Sequence, residues 1–319
     1  MKPNHKQALK LYASGIALYA ILILLTHIIP FYQRFLNSQT KNILIYLFLG
    51  YALFSPIYYL LTTKEYTTSK PLLFFRFLNR TIKHISIKKR PEIEPEEKVA
   101  LLFVAVKLFF LPLMFEFFTN NIGWFIQNTT TASWFPLIIT VIFTIDTFIF
   151  ALAYTFEFQV LGNIVKSVEP TFLGWFATVI CYPPFNSITG NYIPWGASDS
   201  ATFGSETTTM IIRIILLILL SLYLAASIAL GTKASNLTNR GIVTKFPYSI
   251  VRHPAYICKN LFWWITLLPV LTWPFALGML FWNVIYLTRA LTEERHLLQD
   301  PAYQDYCKKV KYRFIPGLI

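Results

Sequence analysis

Apolar and polar positions alternate in long blocks along this chain, and the blocks have membrane-spanning length. A helix crossing a bilayer needs about 20 apolar residues. Candidate runs cover 9–29, 43–61, 97–118, 135–157, 172–183, 207–231, 257–272 and 274–291. The fifth and seventh are short, and the fifth ends in Cys181-Tyr182-Pro183-Pro184, as a re-entrant piece would. Pro274 breaks the last apolar block into a hairpin, because proline inside a helix removes a hydrogen bond and clashes with the preceding turn. The pattern predicts an all-α polytopic transmembrane protein of about eight spanning helices.

One polar segment has its own periodicity. From Ser69 to Ile87, Phe74, Phe75, Leu78, Ile82 and Ile85 recur at helical spacing, with Arg76, Arg80 and Lys83 on the other side. This reads as an amphipathic helix lying on an anionic leaflet. Lys88 to Glu97 is a charged, proline-broken linker. The reading divides the chain into an N-terminal extension 1–96, which works together with helix 97–118, a middle part 97–206 and a C-terminal part 207–319. No internal repeat is visible.

Composition agrees. The 319 residues are 55% hydrophobic and 13% charged, against about 25% charged in soluble domains. The net charge of +13 would suit nucleic acid, but the basic residues sit in loops between apolar runs, where they set membrane orientation. With eight passes and the N-terminus inside, the inner segments hold 23 lysines and arginines. The outer loops hold only Arg34 and Lys41. Both termini and the loop 232–256 therefore belong on the cytoplasmic side. Nucleic acid is not an expected partner; the lipid bilayer is. Cys181, Cys258 and Cys307 show no metal-ligand spacing and no disulfide framework. No paired histidine spacing suggests a metal either. In the outer loop 184–206, Tyr192 and Trp195 suit an interfacial belt.

Charged residues inside apolar spans mark function or buried pairing. Lys107 and Asp146 fall at similar depth near the middle of consecutive spans, and Glu116 and Arg213 lie toward the outer side.

The most informative stretch is Gly241 to Tyr256, polar and basic between two apolar runs. It contains Phe246-Pro247-Tyr248 and Arg252-His253-Pro254-Ala255-Tyr256. Beyond the hairpin follow Arg289, Glu293-Glu294-Arg295-His296-Leu297, then Tyr303 to Tyr306 and Pro316. This constellation resembles the isoprenylcysteine carboxyl methyltransferase and phospholipid methyltransferase-like superfamily of integral membrane methyltransferases. The resemblance covers residues 207–319, extending at most to 135–319. It departs from the family's pattern in two places: Phe246 stands where glycine is usual, and Asp300-Pro301 shortens the spacer before Tyr303. Both bear on the shape of a cofactor pocket.

The resemblance implies S-adenosylmethionine as cofactor and in-line methyl transfer to a lipid or prenylated, amphiphilic acceptor. It implies a cytoplasmic cofactor site built by the C-terminal helices and loops. Such a site needs donors for a carboxylate, acceptors for an ammonium and hydroxyls, and apolar walls. Arg252, His253 and the backbone at Pro254 offer donors, Glu293 and Glu294 offer acceptors, and Tyr248 and Tyr256 offer walls that also attract a sulfonium. Arg289 and Glu293, four apart on a helix, share a face and are the expected catalytic pair bordering cofactor and acceptor. Glu293 is the preferred inward carboxylate, with Glu294 the alternative. Two rivals stay open. NADPH-dependent sterol and steroid reductases carry a similar arrangement but need donors for a 2′-phosphate. A non-catalytic transporter or lipid-binding protein would explain the intramembrane charges and leave the motif idle. The acceptor itself is not legible in the residues.

Overall fold

The computed structural model describes residues 5–62, 68–86 and 92–318. Residues Lys88 to Pro91 of the charged linker lie outside them. The chain forms two compact units, Met1–Glu116 and Phe117–Ile319.

In the first unit, α1 (His5–Ile28) and α3 (Ser38–Thr62) pack along each other, joined by the short α2 (Pro30–Phe35), which starts on a proline. Leu11, Leu18 and Leu22 are buried at this contact. α4 (Lys70–Ser86) is the amphipathic segment. Leu73 is buried, whereas Ile82 and Ile85 remain exposed, as an interfacial helix leaves them. Arg80 clamps the next element: it donates to Glu94 at 2.6 Å and pairs with buried Glu97. That element is α5 (Pro95–Asn128). Pro95 and two glutamates suit its first turn. The intramembrane charges of this unit find aromatic and backbone partners. Lys107 Nζ lies 5.1 Å from the ring centres of Tyr19 and Phe103, and Glu116 accepts from the Asn37 amide at 2.8 Å.

The second unit is a bundle with two distinct ends. α6 (Trp134–Thr155) and α9 (Glu206–Leu230) run parallel. Phe135, Ile139 and Ile142 form one core with Leu216, Leu220 and Phe262. Further along both helices, Asp146 accepts from Tyr223 at 2.8 Å and Ser227 at 2.5 Å. At their shared end, β1 (Ser167–Val168) pairs antiparallel with β2 (Thr238–Asn239). Two parallel helices require the chain to return between them. The return is made by α7 (Phe172–Val179) and α8 (Phe185–Gly190). α10 (Pro254–Leu267) and α11 (Trp273–Leu297) form an antiparallel hairpin. Trp264 donates to Asn283 at 2.7 Å, and Asn283 to Asn260 at 2.5 Å. α11 begins at Trp273-Pro274, where the sequence places the break. α12 (Pro301–Lys309) folds back onto the loop before α10.

Six helices are long and apolar enough to cross a membrane: those starting at His5, Ser38, Pro95, Trp134, Glu206 and Trp273. The chain is an all-α, multi-pass membrane protein. The expected fifth and seventh spans differ from the other six. α7 has eight residues, about 12 Å at 1.5 Å per residue, so this return is a broken one. α10 has 14 residues, extended only by a 3₁₀ turn, Leu268–Val270.

The loop 184–206 closes the end of the bundle away from the two-stranded sheet. Trp195 packs edge-on against Trp263 at 5.1 Å and Trp282 at 6.4 Å. Gly278 allows this closure, because a Cβ there would sit 2.1 Å from the Pro194 carbonyl oxygen. Tyr192 on the same loop is exposed.

Candidate functional site

The sheet end of the second unit gathers the polar motif residues into two neighbouring groups. α11 sorts them. Its last two turns carry Arg289, Thr292, Glu293 and His296 at i, i+3, i+4 and i+7, which places them along one face. Glu294 projects from a different face.

Glu294 is the centre of the first group and is 3% exposed. Arg252 Nε lies 2.8 Å from its Oε1, as a close charge contact without hydrogen-bond alignment. His253 Nε2 is 3.2 Å from the same oxygen, and Arg313 Nε donates to Oε2 at 2.8 Å. Two backbone bonds run beside these contacts: Arg252 N to Tyr312 O at 3.0 Å and His253 N to Arg313 O at 2.8 Å. The His253 ring stacks on Tyr256 at 5.3 Å and tilts against Phe314 at 5.5 Å. Pro254 begins α10. Tyr248 packs with Tyr303, Tyr306 and Val310, and its carbonyl accepts from the Tyr306 hydroxyl at 2.7 Å. Burial pushes the phenols of Tyr248, Tyr303 and Tyr306 well up, so they are neutral donors. The Glu294 hydrogen bond pushes Arg313 further up. Arg252, His253, Glu294 and the two tyrosines of the Y-x-x-Y thus lock the C-terminal segment onto the start of α10.

The second group surrounds a cavity of roughly 380 Å³, open mouth included, within the range of about 300–1,000 Å³ of small-molecule sites. Arg289, Thr292, Glu293 and His296 line it from α11, and Tyr256 from α10. The loop Ser235 to Thr238, Thr178 on α7 and Glu169 complete it. Tyr256 donates its hydroxyl to Glu293 Oε2 at 2.7 Å. Arg289 is buried, donates to Asn236 Oδ1 and lies over the rings of Tyr256 at 5.2 Å, Tyr182 at 5.8 Å and Tyr286 at 5.9 Å. Ser167 Oγ bonds His296 Nε2 at 2.8 Å. Glu169 is buried: its Oε1 is held by Thr171 and by Arg295 at 3.0 Å, while Oε2 has no hydrogen-bond partner. Leu237 takes a positive φ of 66°, uncommon for a bulky residue, and its carbonyl accepts from Glu169 N at 2.7 Å. This turn delivers Asn236 to Arg289.

Of the residues singled out in the sequence, Tyr256, Arg289 and Glu293 meet at the cavity. Tyr248, Arg252, His253, Pro254 and Glu294 lie in the neighbouring lock. Asn236, Thr292, His296, Thr178 and Glu169 were not singled out. The spacing along α11 carried a signal for Thr292 and His296. Nothing local marked Asn236, Thr178 or Glu169, which arrive from other elements.

The two departures from the family pattern have structural solutions. Phe246 does not adopt positive φ and is exposed. Asp300 caps α12 by accepting from Ala302 N at 3.0 Å, and Pro301 occupies the first turn. Asp300 Oδ2 also binds Asn239 at 3.0 Å and Lys166 at 3.1 Å, tying α12 to both short strands. The Asn239 amide first, and then Lys166, hold this carboxyl below the usual range.

Residues 208–299 match the model of the isoprenylcysteine carboxyl methyltransferase (ICMT) family. The matched segment holds nearly all of α9, all of α10 and α11, the Arg252–Tyr256 motif and both glutamates; it stops before Tyr303. No curated protein and no solved structure matches the chain. The match and the apolar helices together support a membrane methyltransferase.

Proposed function

We propose, taking the family match over residues 208–299 as premise, that this protein is an integral membrane methyltransferase. It uses S-adenosylmethionine and methylates a lipid or prenylated acceptor. The observation that carries the reading is the convergence of Arg289, Tyr256 and Glu293 on one cavity inside the matched segment. The groups present suit that cofactor. Glu293 is a carboxylate held by a single phenol, and Glu169 Oε2 has no partner. Both can accept from an ammonium or a ribose hydroxyl. The faces of Tyr256 and Tyr286 favour a cation. When bound, S-adenosylmethionine supplies a methyl group on a sulfonium, open to in-line displacement.

The chain's own residues bind and orient. Tyr256 holds the Glu293 carboxylate in one rotamer. Asn236 holds the Arg289 guanidinium, leaving part of its donor fork for an acceptor carboxylate or phosphate. The Glu294 lock fixes the start of α10 and therefore Tyr256. An acceptor carboxylate is already ionised and needs no base. An amine acceptor would lose its proton to a neighbouring group. The concentration of basic residues at the motif end argues that this end and both termini face the cytoplasm, with the acceptor entering sideways from the inner leaflet.

Calorimetry of the purified chain tests the cofactor. Binding of S-adenosylhomocysteine, weakened about tenfold or more by Glu293→Ala, is expected. Binding of NADPH without S-adenosylhomocysteine would replace this reading with a reductase. Labelling of Lys245→Cys by an impermeant reagent in intact cells would reverse the orientation.

A further inference from the structure

Lys259 sits one turn deeper in the same bundle and has no assigned role. It lies on α10, half-buried, with its Nζ 5.2 Å from the Trp263 ring centre and 5.7 Å from that of Tyr223. Among the described residues no carboxylate lies within 4 Å of it. The same holds for Arg289, whose neighbours are Asn236 and three tyrosine rings. The nearest acids do not neutralise Lys259 directly. Asp146 is engaged by two hydroxyls, and Asp199 is exposed on the loop 184–206.

A continuous aromatic wall joins the two cations. Trp263 meets Tyr286 at 5.3 Å and Tyr286 meets Tyr256 at 5.6 Å, both edge-on. Lys259 lies over the first ring of this wall, Arg289 over the last two. The charges of Lys259 and Arg289 are near enough to repel each other. Two like charges along one apolar wall, neither ion-paired, are costly for the protein alone. They become favourable when an anion sits between them. Aromatic faces offset only part of the cost.

We propose that Lys259 and Arg289 together form an anion clamp for the acceptor, which is an amphiphile with an acidic headgroup, carboxylate or phosphate. Arg289 takes the headgroup with its planar fork, and Lys259 adds a second charge from deeper in the bundle. The wall Trp263–Tyr286–Tyr256 covers the headgroup's apolar flank. Lys259 is thus a specificity-determining residue that excludes zwitterionic and neutral headgroups. The proposal deepens the methyltransferase reading and rests on it for the word acceptor; the clamp itself is measured without turnover.

The test uses the full chain in phosphatidylcholine nanodiscs. Dodecyl phosphate, dodecyl maltoside and inorganic phosphate are titrated separately, and S-adenosylhomocysteine is titrated in parallel. Saturable binding of dodecyl phosphate, with none of dodecyl maltoside, is expected. Lys259→Gln should weaken it about tenfold or more, Lys259→Arg should restore most of it, and S-adenosylhomocysteine affinity should stay within about twofold. Inorganic phosphate binding as tightly as dodecyl phosphate would overturn the amphiphile assignment in favour of a free anion. Equal affinity of wild type and Lys259→Gln for dodecyl phosphate would overturn the clamp. A chain that binds dodecyl phosphate through Lys259 but not S-adenosylhomocysteine would keep the clamp and sink the methyltransferase reading. If Lys259→Gln is unstable, the preference of the wild type among the three titrants decides: no preference for dodecyl phosphate refutes the proposal.

Discussion

Glu293 and Glu294 are adjacent on one helix and live in different chemistry. Glu294 is surrounded by Arg252, His253 and Arg313, and both of its oxygens are engaged. Glu293 receives one phenol and faces a cavity that it shares with Arg289. The first region is saturated: every charge in it has a partner from another part of the chain. The second holds a guanidinium with no carboxylate in reach and a buried Glu169 oxygen with no partner. Saturation marks a structural lock, because its groups have nothing left to offer a ligand. Unused donors and acceptors around a void mark a site. The contrast teaches that the best-known part of a motif can be its scaffold, while a residue beside it does the binding.

The largest effect that would break this contrast is on stability. Glu294→Ala leaves Arg252 and His253 buried against an empty space, and such a loss costs about 3–5 kcal/mol. A large drop in thermal unfolding temperature is expected, measured in detergent. Glu293→Ala should change it little. Equal drops would mean that both glutamates are structural.

Arg289→Lys keeps the charge but loses the fork. Acceptor turnover should fall by about 10–100-fold, equivalent to about 1.5–3 kcal/mol for hydrogen bonds to a charged group. S-adenosylhomocysteine affinity should move less. Parallel losses in both would place Arg289 with the cofactor instead. Tyr256→Phe removes one hydrogen bond to Glu293, worth about 1.5 kcal/mol. It should weaken S-adenosylhomocysteine binding roughly tenfold without changing unfolding. Unaltered binding would separate Glu293 from the cofactor.

The smallest effect tests the link between α12 and the strands. The carboxyl of Asp300 titrates below its unfolded value because of Asn239 and Lys166. A depressed folded pKa contributes stability above the unfolded value of about 3.9. That stability is lost as pH falls through the folded value. Wild type should therefore lose slightly more stability than Asp300→Asn between about pH 5 and pH 3, followed by thermal melts. Superimposable pH profiles would show that the Asp300 contacts are not formed in solution. The effect stays small because Lys166 is more than half exposed.

Block length and hydropathy alone determined that this is an all-α, multi-pass membrane protein, because a bilayer demands about 20 apolar residues per helix. They also placed Pro274 at the hairpin and Arg289 with Glu293 on one face of a helix, since 3.6 residues per turn is a local property. Three decisions needed the tertiary structure. The return between α6 and α9 is a broken, short one, because parallel packing of those helices forces it and no local pattern does. Glu294 is locked while Glu293 is open, because Arg313 and Tyr312 reach back from a distant segment. Asn236, Thr178 and Glu169 line the cavity, because they come from elements that meet only when the bundle closes. Periodicity assigns a face to a residue; only packing decides what that face meets.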